Sequence, residues 1–482
     1  MENAKKVRAP EREGTFASSV IMFIICVSVI MVGILVLGLD AHIPLIFACA
    51  IIMIYAAFLH IPLGELETAM ANSAATSMGV MVVIIVVGTL IASFMAAGTV
   101  PYIIYVGLEL INPAWFLAFV TIMCAILSSV TGSSWTTCGT IGVAFIGISI
   151  GLGIPVGMAA GAVAGGAYFG DKQSPISDFA MYAAGVSRVN IYHHCKNMLY
   201  TTGPALIASI IIYFVLGMRF RGGEVDAAQI EVIRGGLEQI YNFSPIVLLP
   251  LVVLIAAIIL KLPTTVSLFL GMFCALIIAI TYQGMNPGDV LKMLMNGYSI
   301  DPAIAESVPA EVAKICQRGG VSSMLYTLAL MICSLAMAGG FDRTKMLTKI
   351  VDKMENIIKN RVGLIATTLV TGIGMSYFAC DPYIAAIIPV KAYEKKYEEM
   401  GLDRCVLSRT ISDGGVNFCP IVPWGSSGVF TSQTLGVPVG QYIGYYYIGW
   451  GTCIMALVCA VTGWGMKTYD YSQDQKDSVM TA

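Results

Sequence analysis

The sequence predicts an all-α polytopic membrane protein built from two inverted-topology repeats with broken transmembrane helices, about 11–13 membrane segments in all. Three observations predict this fold class. Of the 482 residues, 57% are hydrophobic and 12% are charged, and the mean hydropathy is +0.82. Long stretches carry no charged residue, and several landmarks recur about half a chain apart. Soluble domains carry roughly 25% charged residues, so the composition excludes an ordinary soluble, disordered or fibrous protein.

The membrane segments are expected in the stretches that lack Asp, Glu, Lys and Arg. These stretches are 14–39, 41–64, 68–108, 110–170, 197–218, 239–260, 262–288, 319–341, 362–380 and 414–466. A helix needs about 20 apolar residues to cross a bilayer. The stretch 110–170 would form a helix about 90 Å long, so it must cross more than once. The lipid bilayer is therefore the expected surrounding of most of the chain.

Composition and repetition divide the chain into five parts. They are an N-terminal tail at 1–13, a first transmembrane repeat at 14–218, an inter-repeat connection at 219–243, a second transmembrane repeat at 244–466 and a polar C-terminal tail at 467–482. The repeats are predicted because MAAGTVPYII at 95–104 matches MAGGFDRTKM at 337–346, and the Thr-Gly pair at 131–132 recurs at 371–372. Chance similarity between apolar segments of low complexity is the alternative.

Basic residues predict the orientation. The tail 1–13 carries four basic residues and the connection 341–361 carries six. Basic loops remain in the cytoplasm, so both are expected there. The matching connection 99–116 has no basic residue, which predicts that it lies on the opposite face, as inverted repeats require. Residues 341–361 also read as an amphipathic helix on the inner membrane surface. The first apolar run is too long for a signal-peptide core, so its span is expected to be retained.

Three polar interruptions of the apolar sequence mark the candidate site, because a polar group in hydrocarbon is costly unless it faces a cavity or another helix. The first, SSVTGSSWTTCGT at 128–140, contains eight Ser and Thr hydroxyls and two glycines. Hydroxyls, with carbonyls freed at a glycine break, are oxygen ligands that suit Na⁺. The expected supporting ligands are Thr131, Ser133, Ser134, Thr136 and Thr137. Trp135 is a substrate-pocket candidate, and helix packing by small residues is the alternative for the whole segment.

The second interruption, YFGDKQSPISDFA at 168–180, brings two carboxylates into the membrane region. Asp171 and Asp178 are expected to bind Na⁺ and H⁺ in turn, because a buried carboxylate can exchange a proton for a metal ion. Pro175 breaks the helix between them and frees backbone carbonyls. The expected neutral ligands are Ser174 and Ser177. The alternative is a surface loop with an ordinary Asp–Lys pair.

The third interruption comprises 378–389 and 411–430 in the second half. Asp381 and Asp413 are its acids and are expected to form a mirrored cation or proton half-site. Glycines and prolines around them disfavour a regular helix. The further candidates for a substrate pocket are Asn417, Trp424, Ser426 and Ser427. Interfacial anchoring or core packing is the alternative for the tryptophan.

These motifs resemble the NhaC family of bacterial Na⁺/H⁺ antiporters. The most specific stretch is GAYFGDKQSPISD at 166–178, preceded by TGSSW at 131–135 and followed by HHCKNMLYTTGPALI at 193–207. LSRTISDGG at 407–415 and IVPW at 421–424 continue the resemblance. The resemblance implies a multi-pass carrier in the inner membrane that exchanges Na⁺ for H⁺ by alternating access. It also implies that some members exchange organic anions, of the malate and lactate type.

The chain departs from the family pattern beside the candidate site. Phe179 stands where the family commonly has threonine, and Gly425 stands where it commonly has asparagine. Losing polar groups makes room for something larger than a proton, and Phe179 is therefore a further substrate-pocket candidate. A Na⁺- or H⁺-coupled exchanger of a small organic acid or amino acid is thus the alternative function.

Other function classes find little support in the sequence. It has neither an HExxH motif nor a nucleophile with its base, so an enzyme is not expected, and no cofactor is expected beyond the transported ions. The net charge of −2 gives no reason to expect nucleic-acid binding. A homodimer is an assembly that the sequence leaves open.

Overall fold

The computed structural model describes residues 10–220, 227–260, 262–355 and 358–469. Within these ranges the secondary structure is helical, apart from one isolated antiparallel bridge between Leu402 and Thr468. The predicted all-α fold is confirmed. The predicted tails at 1–13 and 467–482 lie mostly outside the described residues, and so does 221–226 of the predicted connection.

The described part of the chain up to residue 220 contains the first eleven helices. They are α1 (Phe16–Met31), α2 (His42–Phe58), α3 (Leu63–Thr76), α4 (Met78–Ala96), α5 (Thr99–Leu110), α6 (Pro113–Thr131), α7 (Ser134–Thr137), α8 (Val143–Gly151), α9 (Val156–Gln173), α10 (Asp178–Val186) and α11 (Ile191–Met218). A π-helical turn at Cys138–Gly142 joins α7 to α8, so the two form one continuous span.

The remaining helices follow in the second part. They are α12 (Ala227–Ile240), α13 (Leu249–Ile259), α14 (Thr264–Thr281), α15 (Pro287–Asn296), α16 (Pro302–Ala305), α17 (Ala310–Cys316), α18 (Val321–Arg343), α19 (Met346–Glu355), α20 (Arg361–Phe378), α21 (Pro382–Glu399), α22 (Arg404–Gly414), α23 (Ser426–Leu435), α24 (Val439–Tyr442) and α25 (Tyr447–Thr462). A 3₁₀ turn at Val416–Ile421 follows α22, where the sequence predicts irregular backbone.

Eight of the described spans are long and apolar enough to cross a membrane. They are Phe16–Ile34, Met78–Ala96, Pro113–Thr131, Ser134–Gly151, Ile191–Met218, Thr264–Thr281, Val321–Arg343 and Arg361–Phe378. Two bent helix pairs, with angles of 88° and 46°, raise the number to as many as ten. The about 11–13 segments expected from composition also include apolar helices shorter than a full crossing, such as α2 and α5. The multi-pass architecture with interrupted helices is confirmed, whereas the inverted relation of 14–218 to 244–466 stays a prediction.

Helix α9 is packed on two sides through glycines spaced four residues apart. Gly166 and Gly170 face α6, where a Cβ on either residue would collide with the α6 backbone. Gly157 and Gly161 face α24 and the 3₁₀ turn that follows it, where added Cβ atoms would meet the backbone of residues 441 and 445. Small residues at this spacing let helix backbones approach closely in a membrane. The carboxyl end of α9, which carries Asp171, is therefore positioned by backbone contacts on two faces.

The α19 segment combines an amphipathic sequence with protein contacts. Met346, Leu347 and Val351 are buried in a cluster that includes residues of α1, α2 and α20. The opposite face carries Lys345 and Lys349, which both bind the carboxylate of Glu13, at 3.1 and 2.6 Å. The apolar face predicted to lie on the membrane surface therefore packs on the protein, and charge pairs fasten the start of the described chain to it.

Candidate functional site

The interruption between α6 and α7 is built from a glycine and a serine cap. Gly132 has φ +66°, a left-handed conformation that suits glycine and ends α6. Ser133 follows in an extended conformation, and its hydroxyl accepts a hydrogen bond of 3.2 Å from the Thr136 backbone N–H. Such caps satisfy backbone donors that a helix start leaves free. The segment 128–140 thus places the amino end of the 134–151 span inside the protein.

Asp171 binds this helix start. Its carboxylate accepts hydrogen bonds from the Ser134 backbone N–H at 3.2 Å and from the Ser134 hydroxyl at 2.6 Å. The hydroxyl of Ser177 donates to the other carboxylate oxygen. Asp171 is 3% exposed and forms no ion pair with the described residues. The helix start and two hydroxyls therefore hold a buried carboxylate that has no ion-pair partner among the described residues.

The chain between α9 and α10 also follows the predicted break. Gly170 and Ser174 close the last turn of α9, and Pro175 is exposed in the turn that follows. Ser177 caps α10, since its hydroxyl accepts from the backbone N–H groups of residues 179 and 180. Asp178 is the first residue of α10, and its side chain is exposed. The two acids of this motif therefore lie in different surroundings.

The other predicted hydroxyl ligands have local hydrogen bonds. Thr131 bonds within the turn 128–133, and the hydroxyls of Thr136 and Thr137 donate to Ser133. Ser174 has a buried hydroxyl without a hydrogen-bond partner among the described residues. Of the predicted hydroxyls, those of Ser134 and Ser177 reach Asp171 directly.

Asp413 lies on α22 beside a residue that the sequence analysis did not select. The Nζ atom of Lys172 lies 3.4 Å from Asp413 Oδ1, and the side chains are 1% and 0% exposed. This ion pair joins α9 to α22 across 241 positions of sequence. The sequence did contain one signal for Lys172. Residues 110–170 are 61 residues without a charge, and Asp171 and Lys172 follow them directly.

Asp381 is the N-cap of α21. One of its oxygens accepts from the backbone N–H groups of Tyr383 and Ile384, at 2.8 and 3.0 Å. The other accepts from the Ser77 hydroxyl at 3.3 Å, which links the cap to the junction of α3 and α4. The preceding Cys380 has φ +57°, an uncommon conformation for a residue with a side chain.

An aromatic cluster lies next to the carboxylates. The Tyr383 ring packs against Phe179 and Tyr182, with centroid distances of 5.3 and 4.8 Å. The Tyr383 hydroxyl is within electrostatic reach of Asp178, Asp381 and Asp171. Phe179, which departs from the family pattern, therefore contacts a tyrosine that is close to acids from both halves of the chain.

The remaining pocket candidates have varied surroundings. The Trp135 ring stacks on Phe430 at 4.3 Å, and Trp424 donates to the Tyr377 carbonyl at 2.7 Å. Asn417 donates to Gly449 and Thr452 and accepts from Tyr446. Ser426 bonds the Cys380 carbonyl, whereas the buried Ser427 hydroxyl has no partner in the described ranges.

Comparison with known proteins assigns the family. The model of the Na⁺/H⁺ antiporter family matches residues 166–464, which include both Asp171 and Asp413. The chain belongs to the Na⁺/H⁺ antiporter family. The predicted NhaC resemblance is confirmed, and the multi-pass helical architecture is that of an antiporter of this family.

Relatives in the Na⁺/H⁺ antiporter family carry different names. The arginine/ornithine antiporter ArcD of Halobacterium salinarum is 33% identical over 479 residues, which cover 98% of this chain and 97% of the relative. The Na⁺/H⁺ antiporter NhaC of Alkalihalophilus pseudofirmus is 32% identical, with coverage of 95% and 97%. The malate-2H⁺/Na⁺-lactate antiporter of Bacillus subtilis is 30% identical, with coverage of 83% and 84%.

Proposed function

We propose that this antiporter exchanges Na⁺ for H⁺ across the bacterial inner membrane, with its N-terminus in the cytoplasm. The carrying observation is the Asp171 carboxylate, which is buried at a helix interruption and has no cationic partner among the described residues. A buried carboxylate is costly when it is charged and uncompensated. Asp171 therefore meets the requirement of a group that holds one cation or the other, and the chain acts as a transporter rather than an enzyme.

The hydroxyls around Asp171 suit both occupants. Ser134 and Ser177 donate to the carboxylate in the structure. A hydroxyl is both donor and acceptor and can rotate. When Na⁺ enters, these hydroxyls turn their oxygens to the ion, and the proton leaves Asp171. The predicted hydroxyls of 131–137, together with Ser174, supply further oxygens.

The other three acids of the candidate site have supporting roles in this proposal. Exposed Asp178 attracts cations toward the break, as a partner of Asp171. Asp381 and Asp413 form the second-half counterpart, with Asp413 held by Lys172. Access alternates when one group of helices rocks against the other. A homodimer is the assembly we propose.

The test is ²²Na⁺ uptake into proteoliposomes under an imposed pH gradient. Asp171→Asn should reduce proton-driven uptake by at least about 100-fold, because an amide cannot release a proton to make way for Na⁺. The matched control is Asp289→Asn, an exposed acid on α15, which should transport like the unmodified protein. Uptake by Asp171→Asn equal to that of the control would overturn this assignment.

A second candidate function is Na⁺- or H⁺-coupled exchange of a small organic acid or amino acid. The observation that favours it is the cluster of Phe179, Tyr182 and Tyr383 beside the acids, together with relatives named for malate, lactate, arginine and ornithine. Vesicles loaded with each solute distinguish the two functions. Uptake of ²²Na⁺ that requires one loaded solute supports exchange, whereas uptake that ignores every solute contradicts it.

A further inference from the structure

A second group of buried polar side chains lies on α11, near Lys172 and Asp413. Helix α11 contributes His194, Asn197 and Thr201, which lie on one helix face at spacings of three and four residues. His194 is within electrostatic reach of Lys172, and Thr201 lies beside Asp413. Asn197 lies between these two residues on the same face of α11, which is the face near the Lys172–Asp413 pair.

Asn197 differs from the other buried asparagine of the candidate region. Its amide is fully buried, and neither the nitrogen nor the oxygen has a hydrogen-bond partner among the described residues. Asn417 is equally buried, yet its amide makes three hydrogen bonds. An unsatisfied buried polar group lowers stability, so such groups point to a missing partner.

His194 adds an unfilled acceptor. Its Nδ1 lies 2.7 Å from the Ser408 hydroxyl, and that hydroxyl donates to the Ala183 carbonyl. Ser408 must therefore accept from Nδ1–H, which leaves Nε2 with a lone pair in the neutral ring. Nε2 is buried and has no partner within the described part of the chain.

The charges near this group are unbalanced. Lys172 is paired with Asp413, and the fully buried Arg409 also acts on Asp413. The Nε atom of Arg409 has no partner in the ranges described. Two cations around one carboxylate leave a positive charge that an anion would neutralise, and a buried unpaired charge is costly.

We propose that Lys172, His194 and Asn197 form a second binding site, separate from the Asp171 contacts, for a small carboxylate with a hydroxyl or amino group on its α-carbon. The carboxylate binds the Lys172 ammonium and the Asn197 amide nitrogen. An α-hydroxyl donates its one proton to His194 Nε2 and accepts none from it, whereas an α-ammonium group donates to His194 Nε2 and also to the Asn197 oxygen. The site extends the proposed antiport to an organic solute and rests on that function.

The test measures the melting temperature of the purified full-length protein with added solutes. The probes are L-lactate and L-malate, with an α-hydroxyl, and L-alanine, with an α-amino group. Propionate and succinate are the matched acids that lack the α-substituent. At least one probe should raise the melting temperature by about 2–4 °C, whereas its matched acid should not. The responding probe shows whether the α-substituent is a hydroxyl or an amine.

Two asparagine variants decide where the solute binds. Asn197→Leu should abolish the solute-induced rise and leave the solute-free melting temperature equal or higher, because no hydrogen bond to the described residues is lost. Asn286→Ala, which removes the N-cap acceptor of α15 far from the named site residues, should melt at a slightly lower temperature but keep the rise. Asn197→Ala replaces the leucine variant if leucine prevents folding.

The outcomes separate this inference from the antiport itself. A rise that persists in Asn197→Leu, or no rise with any probe, overturns the second site. A rise of equal size with propionate or succinate overturns the role of the α-substituent. Proton-driven ²²Na⁺ uptake by the same preparation reports on the Asp171 function alone, so either proposal can fail while the other stands.

Discussion

The helix interruptions beside Asp171 and Asp413 hold their carboxylates in different ways. Asp171 accepts hydrogen bonds from two serine hydroxyls and one backbone N–H. Asp413 lies 3.4 Å from the ammonium of Lys172, and both residues are buried. A carboxylate that is held only by neutral donors has no fixed counter-charge, so it can bind and release a mobile cation. The charge of a carboxylate that is already paired with lysine is compensated. The comparison supports our proposal that cation exchange takes place at the first break, whereas at the second break the Lys172–Asp413 pair joins α9 to α22.

The largest effect on stability is expected from breaking the buried pair. Lys172→Met leaves Asp413 buried without its partner and should lower the free energy of unfolding by about 3–5 kcal/mol. The double variant Lys172→Met, Asp413→Leu removes both charges and should regain most of this loss. The measurement is thermal or denaturant unfolding of the purified protein. If the single variant unfolds like the unmodified protein, the pair is no cross-link and the comparison fails.

A smaller effect is expected at Asp381, the third buried acid. Asp381→Ala removes the acceptor for the backbone N–H groups of Tyr383 and Ile384 and should cost about 1–2 kcal/mol. Asp381→Asn keeps an acceptor and should cost less. Unfolding midpoints of the two variants measure the difference. Equal losses would show that the negative charge, rather than the cap, is what this position requires.

Asp171→Asn should change stability little although it stops transport. The amide loses charged hydrogen bonds, but it also removes the cost of burying an ionised carboxylate, so the net change should stay within about 1 kcal/mol. The measurement compares unfolding curves of Asp171→Asn and Lys172→Met under the same conditions, and it thereby compares the two helix interruptions. A loss as large as that of Lys172→Met would place Asp171 among the structural acids.

The smallest effect is expected at exposed Glu13. Its pKa is lowered from 4.5 to about 2 by hydrogen bonds to Lys349 and Lys345. Because the folded-state pKa is depressed, the attachment is complete above about pH 5 and is lost as the pH falls toward 2. Salt of about 0.5 M should weaken it at any pH, since exposed charges are screened.

Hydrogen exchange of residues 10–15 measures that attachment. Glu13→Gln should speed exchange at low salt, and Glu67→Gln, an exposed acid on α3, is the control that should not. Protection that changes between pH 6 and 9, roughly the range in which histidine and free amines titrate, would contradict the role of Glu13.

Local sequence rules predicted the breaks well but not what the breaks hold. Gly132, Ser133, Pro175 and Ser177 are short-range signals, and the helices end and begin beside them. The Asp-Pro pair at 381–382 is also a local helix-start signal, which explains its capping geometry. The contacts of Asp171 with Ser134 and of Lys172 with Asp413 arise only when distant segments pack, so one sequence cannot reveal them.

Asn197 is a second residue that the sequence alone could not single out. It lies within the regular helix α11, in the stretch 193–207 that resembles the family, and no local signal in that stretch separates it from a packing residue. That its two polar atoms lack partners is seen only when hydrogen bonds are sought between α11 and the described helices packed against it. Asn417 was selected because it lies among glycines and prolines, yet its amide is fully used by Gly449, Thr452 and Tyr446.

The glycine contacts of α9 have a consequence for ion selectivity. Backbone meets backbone at Gly166 and Gly170, so no side-chain rotation can alter the separation of α9 from α6. Asp171 directly follows Gly170 on α9, and the start of α7 that binds it follows the end of α6 by three residues. A site distinguishes Na⁺ from the larger K⁺ by size only if its oxygens keep their spacing as the protein fluctuates. Gly166 and Gly170, one turn apart, thus fix the separation of α9 from α6, and size selection at the proposed Na⁺ site depends on that separation.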